Sequence, residues 1–239
     1  MAKLNVNNEN LKIGAFTTDL LGTIIDVGAL RKGIGQVLVN EYGVTESPKA
    51  LVGEFKTWQA QSGVKGDFNA LFAEFVANKF TNINPAMLLK SIENNEERIF
   101  AEEVAYLPEA AEFLNKLREL DVPMAGISSL SRRQRASLLN NPNIMKDFSL
   151  DKFDYLFTTP DANKSAIYNE AIGAMKIDSR SGLTIGFEDD KRGAVAMNEL
   201  QKQGGFVGFG MRVEQSAMEE VSPLVKHVYN SHAEIEMEI

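Results

Sequence analysis

Five short apolar runs constrain this chain most: Leu11–Thr18, Val122–Ser128, Tyr155–Thr158, Leu183–Phe187 and Gly205–Met211. Each has a length that suits a buried strand better than a helix. Between these runs, apolar residues recur at helical spacing over Pro108–Leu120, Ser165–Met175 and Gly193–Gln203. Pro108 sits where a helix accepts proline, in its first turn. Alternating strand and helix predicts a parallel sheet with crossover helices. Residues 27–105 break the alternation: Leu30–Tyr42, Ser47–Gln61, Phe68–Phe80 and Pro85–Phe100 read as four helices with no strand between them. Phe68, Phe72 and Phe75 have helical spacing and are expected to pack a small helical core. The chain is therefore expected to form an α/β core from residues 11–26 and 106–239, with an all-helical subdomain over 27–105.

Its 239 residues suit one large domain or a domain plus an inserted subdomain. A composition 44% hydrophobic and 24% charged excludes wholesale disorder. The formal charge of −8 argues against nucleic acid as the main ligand, although a local pocket can still take an anion. There are no cysteines, which excludes disulfides, thiolate metal sites and cysteine nucleophiles. The two histidines, His227 and His232, are read as structural or exposed. No apolar run approaches the ~18 residues of a membrane span, and the start MAKLNVNNEN lacks the apolar core of a signal peptide. The expectation is a cytoplasmic protein with no membrane partner; oligomeric state is not legible. Chemistry must fall mainly to carboxylates, lysine and hydroxyls.

Open α/β sheets bind ligands beyond the carboxyl ends of their strands. The polar residues there are Asp19, Ser128 and the pair Glu188–Asp189, and Lys164 opens the helix after the Tyr155–Thr158 run. Each has a plainer reading: a turn aspartate, a helix cap within SSLS, a solvated lysine, an acidic surface loop. Together they suit attack on phosphorus by a carboxylate, with lysine and a cation neutralising the charge that develops. Mg²⁺ is the natural cation, because every available ligand is oxygen.

The stretch Asp19-Leu-Leu-Gly-Thr-Ile-Ile-Asp26 resembles the first motif of the haloacid dehalogenase superfamily, D-x-D-G-T-x-x-D. Ser128 matches the second-motif hydroxyl and Lys164 the third-motif lysine. The run from Gly186 through Glu188, Asp189 and Gly193 is similar to the fourth motif in the E-D-S-x-x-G form of the β-phosphoglucomutase-like branch. The resemblance extends from about Leu11 to Met211. It implies a Rossmann-like core with an inserted four-helix cap, and an Mg²⁺-dependent hydrolase of a small anionic, phosphorylated metabolite. It implies Asp19 as nucleophile, with Ser128 and Lys164 as its catalytic companions. Asp19, the Leu21 carbonyl and Asp189 would hold the metal, with Glu188 and Asp190 as outer or alternative ligands. Gly22, Thr23, Ser129 and Lys56 would face substrate, and Asp26 would order the loop into the cap.

One departure matters. The second aspartate of the first motif is Leu21 here. In the family's phosphatases that residue is the general acid and base; leucine is neither. Such assistance is worth about 10²–10⁴ in rate. Two other branches also lack it: the phosphonatases, which use a cap lysine where Lys56 stands in VGEFK, and the 2-haloacid dehalogenases, which need no metal. The carboxylates at 188–189 speak against a metal-free site. A third alternative is a protein that keeps the anion site but has lost turnover and serves binding or regulation. Arg132, Arg133 and Arg135 are read as a solvated helix start, and Trp58 as core.

Overall fold

The structure is a computed structural model that describes residues 2–6, 9–64, 67–158, 164–175, 182–213 and 215–238. In chain order its elements are β1 (Lys3–Val6), β2 (Glu9–Asp19), α1 (Gly28–Tyr42), α2 (Pro48–Ser62), α3 (Phe68–Lys79), α4 (Pro85–Glu102), α5 (Ala110–Glu119) and β3 (Met124–Ser128). There follow α6 (Arg132–Leu139), α7 (Pro142–Asp147), β4 (Tyr155–Thr158), α8 (Lys164–Met175), β5 (Leu183–Glu188) and α9 (Lys191–Gln203). The chain closes with β6 (Phe206–Met211), α10 (Met218–Val221), β7 (Val228–Tyr229) and β8 (Glu236–Glu238).

All five apolar runs form strands, and they share one parallel sheet in the order β4-β3-β2-β5-β6-β7. From β2 the chain steps outward to β3 and β4, then crosses back to β5 on the other side of β2. The strand order thus reverses beside β2, and a crevice at such a point is where an α/β sheet binds its ligand. Side chains alternate along β2. Ala15 joins Ala125, Ile127, Tyr168 and Met197 in one buried cluster. Phe16 points the other way, edge-on to Phe113 at 5.4 Å and Phe187 at 5.2 Å between ring centroids.

The polar N-terminus also forms strand. β1 pairs antiparallel with the first part of β2, Lys3 opposite Lys12, and β8 pairs with β1, Leu4 opposite Met237. Ala2, Leu4 and Val6 are buried, which is the period-two pattern of a strand with one covered face.

The chain divides into two compact units: Met1–Asp26, Ala105–Leu130 and Asn143–Ile239 in one, Val27–Val104 and Ser131–Pro142 in the other. Capping sets the helix boundaries of the second unit. Ser47, Asp67 and Asn84 accept hydrogen bonds from the amides of Ala50, Ala70 and Met87, and Pro48 and Pro85 fill first-turn positions. Its core centres on Phe55, Phe72, Leu38, Leu51 and Ile92. Phe72 is buried as expected, whereas Phe68 is well exposed.

Residues 131–142 depart from the expectation that everything after 106 belongs to the α/β core: they group with the helices. Polar contacts tie them to α4 and the residues after it, and Leu138 of α6 is fully buried. Gln134 Nε2 donates to Glu96 Oε2 at 3.0 Å, and Asn141 Nδ2 donates to the carbonyls of Phe100 and Val104 at 2.9 and 3.1 Å. Among the described residues, no helix is long and apolar enough to cross a membrane. Asn141→Ala leaves two buried carbonyls short of a donor, so urea unfolding should show a loss of about 1–3 kcal/mol.

Candidate active site

Asp19 ends β2 and Glu188 ends β5, on neighbouring parallel strands, so both carboxyl groups arrive at the same edge of the sheet. Lys164, the first residue of α8, reaches between them. Its ammonium lies 2.9 Å from Asp19 Oδ1 and 2.8 and 2.9 Å from the two oxygens of Glu188. All three residues are buried. The reading of Lys164 as a solvated first-turn lysine is therefore overturned: burial of an ammonium requires paired carboxylates, and it has two.

Asp189 follows directly. Oxygens of Asp19, Glu188 and Asp189 lie within 4.8 Å of one another, a spacing that could hold a metal ion. Gly22 makes room for Asp189. Its φ is +86°, and a Cβ there would stand 2.1 Å from Asp189 Oδ2. Thr23 Oγ1 donates to Asp189 Oδ1 at 3.4 Å. Asp190 is occupied otherwise: it caps α9 by accepting from the Gly193 amide at 2.8 Å, and it pairs with Arg192.

Ser128 ends β3, one strand from Asp19. The helix cap that SSLS contains is Ser131, which forms a capping box with Gln134. Ser128 is thereby spared that duty. Its hydroxyl is buried and has no hydrogen-bond partner among the described residues. A buried hydroxyl without a partner is costly, and an incoming oxygen would satisfy it.

The electrostatics show too many acids for the cations present. Burial drives Asp19 above its ordinary value against the pull of Lys164, and burial drives Glu188 well above its own. Asp189 is pushed up to about 7 by burial and by the charges of Asp19 and Asp190. Burial opposes the Lys164 ammonium, yet Asp19 and Glu188 outweigh it and hold the group above the usual lysine range. Asp190 stays below its usual value despite burial, because Lys164, the Gly193 amide and Arg192 favour its charge.

Of the residues expected from sequence, Asp19, Ser128, Lys164, Glu188 and Asp189 all lie at the carboxyl edge of the sheet or open the helix beside it, with Leu21, Gly22 and Thr23 in the turn after β2. Ser129 is exposed. Lys56 is exposed on α2, in the helical unit. The residues immediately before Lys164 lie outside the described ones. Sequence reading missed Tyr168, whose buried hydroxyl donates to Glu188 Oε1 at 2.9 Å. The available signal was its place one helical turn after Lys164. His232 is buried against Phe113 and Phe187, and burial pushes its imidazole down to about 4.

No family model matches the chain, and no curated protein matches it either. Solved structures do. A HAD family hydrolase from Deinococcus radiodurans R1 with bound phosphate and sodium is similar at a TM-score of 0.65 and 18% identity, over 94% of this chain and 93% of that chain. A dehalogenase reaches 0.62 at 18% identity, covering 93% and 95%. CbbY from Rhodobacter sphaeroides, in complex with phosphate, reaches 0.61 at 16%, covering 93% and 96%. This chain has the haloacid dehalogenase fold. Within that fold, the edge holding Asp19, Lys164 and Asp189 is the candidate active site.

The raised Asp189 has a measurable consequence. Its folded value, about 7, exceeds its unfolded value near 3.8. Folding therefore favours the protonated form, and that contribution is present below pH 4 and lost as pH rises to about 7. His232 acts in the opposite sense, its contribution being lost as pH falls from 6.5 to about 4. The comparison that isolates Asp189 is with Asp189→Asn. In EDTA, the difference in melting temperature between the variant and the parent should grow in the variant's favour from pH 5 to pH 7, then level off.

Proposed function

We propose that this protein is a hydrolase of the haloacid dehalogenase superfamily that cleaves a small phosphorylated metabolite through a phosphoaspartyl intermediate on Asp19. The observation that carries this reading is the meeting of Asp19, Lys164, Glu188 and Asp189 at one sheet edge. The Ser128 hydroxyl, without a partner among the described residues, supports it, since it suits an anionic oxygen.

In the first half-reaction, an Asp19 carboxylate oxygen attacks phosphorus in line, and the bond from phosphorus to the leaving oxygen breaks. The leaving oxygen keeps the electron pair and takes a proton from water. Lys164 offsets charge at the transferred group, and Ser128 donates to one of its oxygens. In the second half, water attacks the phosphoaspartyl phosphorus. Inorganic phosphate leaves, the Asp19 carboxylate is restored, and a proton goes to solvent.

The residues fit a hard divalent cation. Three carboxylates with mutually close oxygens, each raised by burial, suit Mg²⁺ better than they suit one another. Asp19, Asp189 and the Leu21 carbonyl would hold it, with Glu188 beside them. Bound there, Mg²⁺ supplies charge neutralisation for the phosphoryl oxygens. The helical unit is assigned the role of cap, and Lys56 that of a candidate substrate contact on it.

Leu21 removes proton transfer, so turnover is expected to be slow. With p-nitrophenyl phosphate and sugar phosphates, activity should require Mg²⁺ and vanish in EDTA. Asp19→Asn should abolish it; activity unchanged in that variant would reject the scheme. Leu21→Asp should raise kcat by about 10²–10⁴.

A second reading has one observation in its favour. A halide leaves without needing a proton, so Leu21 would cost little in hydrolysis of a 2-haloacid. Chloride released from 2-chloropropionate in EDTA, with no phosphatase activity in Mg²⁺, would select that reading.

A further inference from the structure

Glu188 stands out for how fully its carboxylate is engaged. Both oxygens accept from Lys164, at 2.8 and 2.9 Å, and Oε1 also accepts from Tyr168 Oη at 2.9 Å. The side chain is completely buried. The backbone of α9 closes another side: a Cβ at Gly193 would stand 1.9 Å from Glu188 Cδ. A carboxylate offers about four lone-pair sites, and Lys164 and Tyr168 together take up three of them.

The ammonium is equally committed. An ammonium carries three donors, and those of Lys164 meet Asp19 Oδ1 and the two oxygens of Glu188. A lysine stem is long and flexible, so its head stays in one place only where something holds it. Lys164 and Tyr168 lie one turn apart on α8 and share a face. Glu188 is gripped by both. The Tyr168 ring is itself fixed, edge-on to Phe206 with centroids 6.1 Å apart.

We propose that Tyr168 and Glu188 are positioning residues: Tyr168 fixes Glu188, and Glu188 clamps the Lys164 ammonium against Asp19 instead of serving as a cation ligand. Turning Glu188 toward a cation would strip Lys164 of two acceptors and orphan the buried Tyr168 hydroxyl. Asp189 is held more lightly, by the long contact from Thr23, so it and Asp19 are the carboxylates that take the cation. The kinetic part of the test rests on the proposed reaction of Asp19; the other two parts do not.

The test uses the full chain with Tyr168→Phe, Glu188→Gln and Asp189→Asn. Tyr168→Phe keeps the ring against Phe206, so it should fold, with a lower melting temperature from the lost donor to Glu188. Mn²⁺ titration followed by electron paramagnetic resonance reads the cation site. The ¹⁵N signal of the Lys164 ammonium, at fixed pH, reads how well that group is held. In Tyr168→Phe, Mn²⁺ affinity should stay at the wild-type value, while ammonium hydrogen exchange should be about tenfold faster. For any substrate that is turned over, kcat should fall with KM unchanged. Asp189→Asn should lose far more Mn²⁺ affinity than Glu188→Gln.

Equal Mn²⁺ losses in Glu188→Gln and Asp189→Asn would make Glu188 a ligand and overturn the proposal. Unchanged Lys164 exchange in Tyr168→Phe would overturn it as well. If Glu188→Gln fails to fold, the Tyr168→Phe exchange rate decides alone. If the wild type turns over nothing, the proposed hydrolase reading fails, while the ammonium signal still tests the clamp.

Discussion

A buried ammonium holding two buried carboxylates is the interaction on which the rest of this site depends. Asp19 and Glu188 sit at the ends of adjacent parallel strands, where like charges would repel and desolvation would favour their protonated forms. Lys164 makes the arrangement tenable. Such a group contributes less to net stability than its short distances suggest, because its members lose their hydration. Its removal is another matter: deleting one partner strands the others, at about 3–5 kcal/mol. The glycines nearby follow from the same crowding. Gly22 yields space to Asp189 and Gly193 to Glu188, and any side chain there would occupy the carboxylate's own volume.

The sheet explains why these charges gather where they do. The central strands are covered on both faces, with Phe16 and Phe187 in one layer and Ala15 and Ala125 in the other. Polar side chains are tolerated mainly at the strand ends. The strand order reverses beside β2, the position at which open α/β sheets bind their ligands. α8 and α9 begin next to it, one supplying Lys164 and Tyr168, the other the Asp190 cap and Gly193.

Leu21 separates two properties that an aspartate would have joined. Holding a cation through a backbone carbonyl is indifferent to the side chain. Transferring a proton is not, since a hydrocarbon has no titratable group. The site therefore combines dense negative charge, a clamped ammonium and a waiting hydroxyl with no acid or base at the first-motif position. On the proposed reading, that combination accounts for slow phosphoryl transfer, and the leaving group's need for a proton becomes the property that selects among substrates.

Local chemistry was legible in the sequence. Strand runs, helix spacing and the caps at Ser47, Asp67 and Asn84 depend on neighbours within a few residues, so the five parallel strands and the four inserted helices could be read directly. The residues ending those strands could be named for the same reason. The N-terminal strand was legible in principle, from Ala2, Leu4 and Val6, but its partner β8 lies more than two hundred residues away, and three paired residues leave no distinct pattern. The capping box of Ser131 with Gln134, three residues on, was local and legible as well, whereas the grouping of Ser131–Pro142 with the helices and the grip of Tyr168 on Glu188 belonged to tertiary structure alone. Each depends on a polar group finding its acceptor or donor in three dimensions, and hydrogen bonds of that kind leave no periodicity along a chain.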